Sequence, residues 1–202
     1  MRGPLSRLPG EAPPAIGHNG GPPLDPGQRW RAHCWRKARA ELAPKLPLEI
    51  VRRRVKRAQE LGLAYPAYAS ILLGTGRDIV GFLFTAEAVA LRLQRDARIA
   101  EAAAAKLAAL VRGDRLLLAP TPDPEALRAS LAAAHGPCLD AVGAAPAPEN
   151  RCAGAEAVRA LLAPRRLPGD AVVMVGARPE ERDWADAARL ARFLGADAYF
   201  AG

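Results

Sequence analysis

Between Asp78 and Phe200, short apolar blocks alternate with alanine-rich stretches, and this alternation restricts the fold more than any other feature of the chain. Asp78–Thr85 (DIVGFLFT) is rich in β-branched and aromatic residues and reads as a buried strand. Arg115–Ala119 reads as a second strand, Cys138–Val142 as a short third, Ala171–Val175 (AVVMV) as the clearest, and Ala198–Phe200 as a short last one. Residues 86–93, 99–111, 125–135, 155–163 and 179–194 between them have helical composition. Strands that alternate with helices need crossover connections, and crossovers give a mostly parallel sheet. The expected architecture is therefore α/β: a small, mostly parallel sheet with flanking helices over residues 77–202. Half the residues are apolar but few are aromatic, so the core must be built mainly from Leu, Val and Ala.

The chain before this domain has a different character. Residues 1–27 contain thirteen Gly or Pro and no hydrophobic period, which predicts a disordered leader. Residues 28–43 predict a helix, with Trp30, Cys34, Ala38 and Leu42 on one face, closed by Pro44. Pro47 and Glu49 suit the first turn of a further helix. Leu48, Val51, Val55, Ala58 and Leu61 form its narrow apolar stripe, Gly62 supplies a turn, and a short helix runs from Pro66 to about Leu73. Residues 28–76 thus form a basic all-helical module.

The formal charge of +8 is concentrated there. Residues 29–57 hold eleven Lys or Arg against Glu41 and Glu49, leaving the rest of the chain nearly neutral. Such a block points to an anionic partner, nucleic acid or an acidic protein. The candidate polyanion-binding residues are Arg36, Arg39, Arg52, Arg53, Arg54, Lys56 and Arg57. The N-terminus has no apolar signal region, and no run is long enough to span a bilayer, so a cytoplasmic protein without membrane contact is expected. Cys34, Cys138 and Cys152 form no CxxC pair, and His33 beside Cys34 diverges from it on a helix, so no metal site is predicted.

Two resemblances add to this reading. Ala58, Leu61, Gly62, Leu63, Tyr68 and Ile71 match the small, turn and apolar positions of bacterial helix-turn-helix units. That resemblance implies a second helix facing the major groove. Its leading residues here, Ala64, Tyr65, Ala67 and Ser70, offer few groups for base edges. The arginines of the first helix would serve phosphates instead, which position a protein without specifying sequence. In the leader, the segment Ile16–Asp25 is similar to one found near the start of various bacterial proteins and implies no activity.

In open α/β sheets ligands bind outside the carboxyl ends of the strands. The candidate ligand edge comprises Thr85, Thr121, Gly176, Arg178, Glu180 and Asp183. VVMVGARPEERDWADAARLARFLGADAYF resembles the fourth motif region of haloacid-dehalogenase-like proteins, with Gly176 matching the motif glycine. Thr85 and Thr121 match the Thr of that family's first loop and the hydroxyl of its second motif. The family's acid after the glycine is Ala177 here, and no Asp ends the first strand. That Asp is the nucleophile, because a carboxylate can form an acyl-phosphate and be regenerated. The resemblance therefore implies a non-catalytic member without a cofactor. The alternative is a divergent phosphohydrolase that uses Mg2+.

Overall fold

In the computed structural model the described residues are Trp30, Cys34, 46–93 and 96–200. The expected leader over 1–27 and basic helix over 28–43 lie outside them, apart from Trp30 and Cys34, which are helical and exposed. The chain divides after Leu46 into two compact units, and the second begins at Pro47.

The helices of the second unit are α1 (Leu48–Glu60), α2 (Tyr65–Thr75), α3 (Glu101–Ala109), α4 (Pro124–His135), α5 (Arg151–Leu162), α6 (Pro179–Ala187) and α7 (Ala196–Phe200). Its strands are β1 (Gly81–Thr85), β2 (Arg92–Leu93), β3 (Ala97–Arg98), β4 (Asp114–Ala119), β5 (Ala141–Ala144), β6 (Val172–Gly176) and β7 (Arg192–Gly195). One five-stranded sheet runs in the order β5-β4-β1-β6-β7 with every pairing parallel. β2 and β3 pair antiparallel as a separate hairpin.

The central strands are apolar on both faces because both faces are covered. Phe82, Phe84, Leu117, Ala119, Val173 and Val175 join one core layer with residues of α1, α2, α3, α4 and α7. Leu83, Leu116, Leu118, Val172 and Met174 join the other with residues of α5 and α6. Successive residues of a strand point to opposite faces, so each strand supplies both layers in turn. Tyr199 of α7 closes the first layer, with its ring 5.4 Å from that of Phe82 and 5.8 Å from that of Phe84.

The α1–α2 hairpin belongs to this layer as well. Ala58, Leu61, Tyr68 and Ile71 are buried in the same cluster as Phe82. Arg57 fastens α1 to the sheet's amino edge. Its guanidinium donates to Asp78 at 2.9 Å, to the carbonyls of Ile79 at 2.8 Å and Arg112 at 3.1 Å, and to Glu60 and the Val111 carbonyl at 3.3 Å. Tyr68 Oη donates to the same Asp78 at 2.9 Å. Burial, reinforced by that carboxylate, pushes the Tyr68 phenol up to about 12. Asp78 lies ahead of β1 rather than within it, which explains why the strand is shorter than expected.

Four expected elements differ, and two share a cause. Residues 86–93 are not a helix. A single turn closes with Leu91 N–H donating to Ala86 O at 2.8 Å and Ala90 N–H to Glu87 O at 3.0 Å, after which β2 begins. The helix expected over 179–194 stops at Ala187, where Leu190 N–H meets Ala185 O at 2.9 Å and Arg189 N–H meets Asp186 O at 3.1 Å; β7 follows. Both turns have the paired hydrogen bonds of the Schellman motif, which needs a left-handed residue and usually has glycine there. Gly62 fills that place after α1 at φ 60°, as the sequence suggests, but Ala90 fills it at φ 49° and Arg189 at φ 58°. Third, residues 198–200 lie in the short helix α7 and not in a strand, because β7 already occupies the sheet edge. The third strand is displaced to Ala141–Ala144, with Cys138 and Leu139 buried ahead of it.

At the amino edge, Arg115 grips Asp140 with two side-chain bonds of 2.9 Å and a backbone N–H at 2.8 Å. The Arg115 guanidinium, helped by that amide, holds the Asp140 carboxyl below its ordinary range. A carboxyl with a folded value below its unfolded ~3.9 stabilises the chain above about pH 4, and this is lost as pH falls through the folded value. The urea-midpoint gap between wild type and Asp140→Asn is expected at pH 7 and should narrow progressively on acidification. Arg57→Ala removes the donor to three carbonyls and to one oxygen of Asp78, and should cost about 2–4 kcal/mol in urea denaturation. Arg53→Ala, at an exposed position, should stay within about 0.5 kcal/mol.

Candidate functional site

β1 and β6 are neighbours at the centre of the sheet, and the chain leaves them in opposite directions. From β1 it proceeds through β4 to β5; from β6 it proceeds to β7. Crevices at such a switch point, outside the carboxyl ends of the strands, are where open α/β sheets hold ligands. Here a cleft of about 400 Å³ opens, lined by Thr85, Glu87, Leu118, Pro146, Arg178 and Trp184 among others. The hairpin contributes Leu93, and the turn before it Leu91.

Thr85 ends β1 and is buried, its Oγ1 accepting the Ala88 N–H at 3.4 Å. Glu87 and Arg178 form a two-pronged ion pair across the rim, joining the loop after β1 to the loop after β6. Glu181 is buried behind them in the first turn of α6. Its Oε2 accepts the N–H groups of Ala177 at 2.8 Å and Arg178 at 3.0 Å, which fixes the loop that carries Arg178. Gly176 is required by this arrangement: a Cβ there would stand 2.6 Å from Glu181 Oε2 and 2.5 Å from the Phe193 ring. Trp184, one turn further along α6, packs its indole over Gly154 of α5, where a Cβ would come within 2.2 Å of the ring. Its buried Nε1 has no hydrogen-bond partner among the described residues.

The candidate ligand-edge residues separate into groups. Thr85 and Arg178 meet in the cleft. Gly176 lies beside it, lining a second hollow with Arg182 and Phe193. Thr121 is engaged in its own loop, its hydroxyl accepting the Asp123 N–H at 3.3 Å ahead of α4. Glu180 and Asp183 are exposed on α6 and line neither hollow. The hairpin leucines escaped notice because the segment carrying Leu91 reads as helix. Among the described residues, no group of three or more His, Cys, Asp or Glu is placed to hold a metal ion.

The basic residues of α1 also divide. Arg52, Arg53 and Lys56 are exposed, and Arg52 pairs with Glu49 at 2.8 Å across solvent. Arg54 is half-buried. Arg57 is withdrawn from this face, being held by Asp78 and the carbonyls. Arg36 and Arg39 lie outside the described residues. Behind α1, the hairpin turn is closed against the α/β body: Tyr199 Oη reaches Leu61 O at 3.4 Å. Gly62, Ala64 and Ala67 line a hollow with Lys106, Leu194 and Tyr199. Burial lowers the Lys106 ammonium there.

Compared with protein-family models, curated proteins and solved structures, the chain finds no match.

Gly154→Ala must displace the Trp184 ring and is expected to cost about 1–3 kcal/mol of stability. It should also change the near-ultraviolet circular dichroism of the buried indole, since Trp184 forms one wall of the cleft.

Proposed function

We propose that this chain is a non-enzymatic accessory or regulatory protein that docks a polyanion on the outer face of α1, with the α/β body as its rigid support. The observation that carries the reading is the division of labour along α1. Arg57 and the buried stripe turn one side inward, and Arg52, Arg53 and Lys56 are left exposed on the same helix. Three cations on a fixed helix suit the regularly spaced phosphates of a nucleic acid. An acidic protein is the other partner compatible with the charge. Binding of this kind is backbone-directed and salt-sensitive. The closed turn behind α2 and its small leading residues support contacts to phosphates rather than base reading. The cleft at the switch point belongs, in this reading, to a sensing or scaffolding body.

The haloacid-dehalogenase-like resemblance enters the proposal as a resemblance of body, not of activity. The adjacency of the β1 and β6 ends supports it. β1 closes on Thr85 without an Asp to serve as nucleophile, Glu87 is paired to Arg178, and Glu181 is engaged by backbone amides. A divergent, Mg2+-dependent phosphohydrolase is the alternative, and these three features weigh against it.

Arg52→Ala/Arg53→Ala/Lys56→Ala tests the reading directly. In gel-shift titrations with short duplex DNA, single-stranded RNA and polyglutamate, the triple variant should lose about tenfold or more in affinity for the polyanion that wild type retains. Its folding should be unchanged. Equal retention by wild type and variant on all three probes would refute the proposal.

A further inference from the structure

On the β2–β3 hairpin, Arg92 and Arg98 stand directly opposite each other in the antiparallel register. Cross-strand partners lie on the same face of a ladder, with their Cβ atoms ~5 Å apart, and like charges in this position repel. Neither arginine meets a carboxylate among the described residues. Both line one hollow of about 320 Å³, which is also lined by Ile99, Ala100, Glu101 and His135. Residues alternate along the hairpin: Leu91 and Leu93 line the switch-point cleft, whereas Arg92 lines this second hollow.

The remaining walls suit an anion. Helix α3 starts here, and no side chain among the described residues caps it; Ala100 is the N-cap. The first N–H groups of a helix have no partner within it and carry the positive end of its dipole. His135 is fixed in place, with Nε2 accepting the Ile99 N–H at 3.3 Å. An Nε2 that accepts leaves the Nδ1 position as the donor of a neutral ring. Glu101 is the one acid among the lining residues, highly exposed and 3.8 Å from that Nδ1.

We infer that the hollow between the β2–β3 hairpin and the start of α3 is a binding site for the phosphoryl group of a small molecule, gripped by Arg92 and Arg98 and seated on the α3 amides. A tetrahedral dianion relieves the repulsion between the opposed guanidinium groups. It accepts paired hydrogen bonds from each, the geometry in which arginine binds phosphate most strongly. Glu101 disfavours the anion by its charge. The site is separate from the α1 face and does not depend on it.

The test is titration of inorganic phosphate into the full-length, 15N-labelled chain, following the amides of residues 99–104. Saturable shifts are expected at the start of α3, and Arg92→Gln/Arg98→Gln should weaken the apparent affinity by about tenfold or more. Glu101→Gln should tighten it. The double variant removes two like charges from one ladder, so its spectrum should remain that of a folded chain. Arg52→Ala/Arg53→Ala/Lys56→Ala should bind phosphate as wild type does, which keeps failure of this site distinct from failure of the α1 face. Unsaturating drift at these amides, equal affinity in the double arginine variant, or saturation by an oligonucleotide but not by phosphate would each overturn the inference.

Discussion

One guanidinium decides how the basic helix is presented. Arg57 reaches Asp78, Glu60 and three backbone carbonyls from segments that precede β1 and β4. Those carbonyls lie where the chain enters the sheet and have no ladder partner to satisfy them, so an internal cation there meets a need that water would otherwise serve. The same contact sets the rotation of α1. With Ala58 inward, the helical period of 3.6 carries Arg52 and Lys56 away from the body, and Arg53, one turn before Arg57, is exposed on the flank. The hairpin is thereby an added layer on the α/β core, sharing Phe82 and Tyr199 with the sheet and its last helix.

The sheet itself rests on strict alternation in β1, β4 and β6. Each supplies both apolar layers, and its central position follows from the need to cover both faces. The order β5-β4-β1-β6-β7 places the ends of β1 and β6 side by side and opens the cleft between them. The loops there are held by specific contacts: Glu181 caps the segment after β6, and Arg178 joins it to Glu87 after β1.

The apolar strands were legible because buried parallel strands read as short continuous runs, and α4 was legible from its flanking Asp123-Pro124 and Gly136. The left-handed turns at Ala90 and Arg189 were not. Left-handed residues are signalled in sequence by glycine, and here tertiary packing imposes the conformation on residues that carry no such signal. Missing the turn at Ala90 concealed the hairpin, and with it the leucines of the cleft and the opposed arginines. The two threonines illustrate the same limit at the site: in the sequence pattern one ends a strand and the other lies in the loop just after one, but only Thr85 reaches the cleft, whereas Thr121 serves its own turn. The charge of α1 was evident in composition, but its division was not, because Asp78 and the carbonyls that claim Arg57 come from distant segments.

The central claim is that the exposed cations of α1 neutralise phosphates. The salt dependence of nucleic-acid binding measures this most directly, since the slope of log K against log salt counts the phosphates neutralised, at about 0.9 per contact on duplex DNA. Replacing Arg52, Arg53 and Lys56 together should make that slope shallower by about 2.7. A slope unchanged in the triple variant would contradict the account.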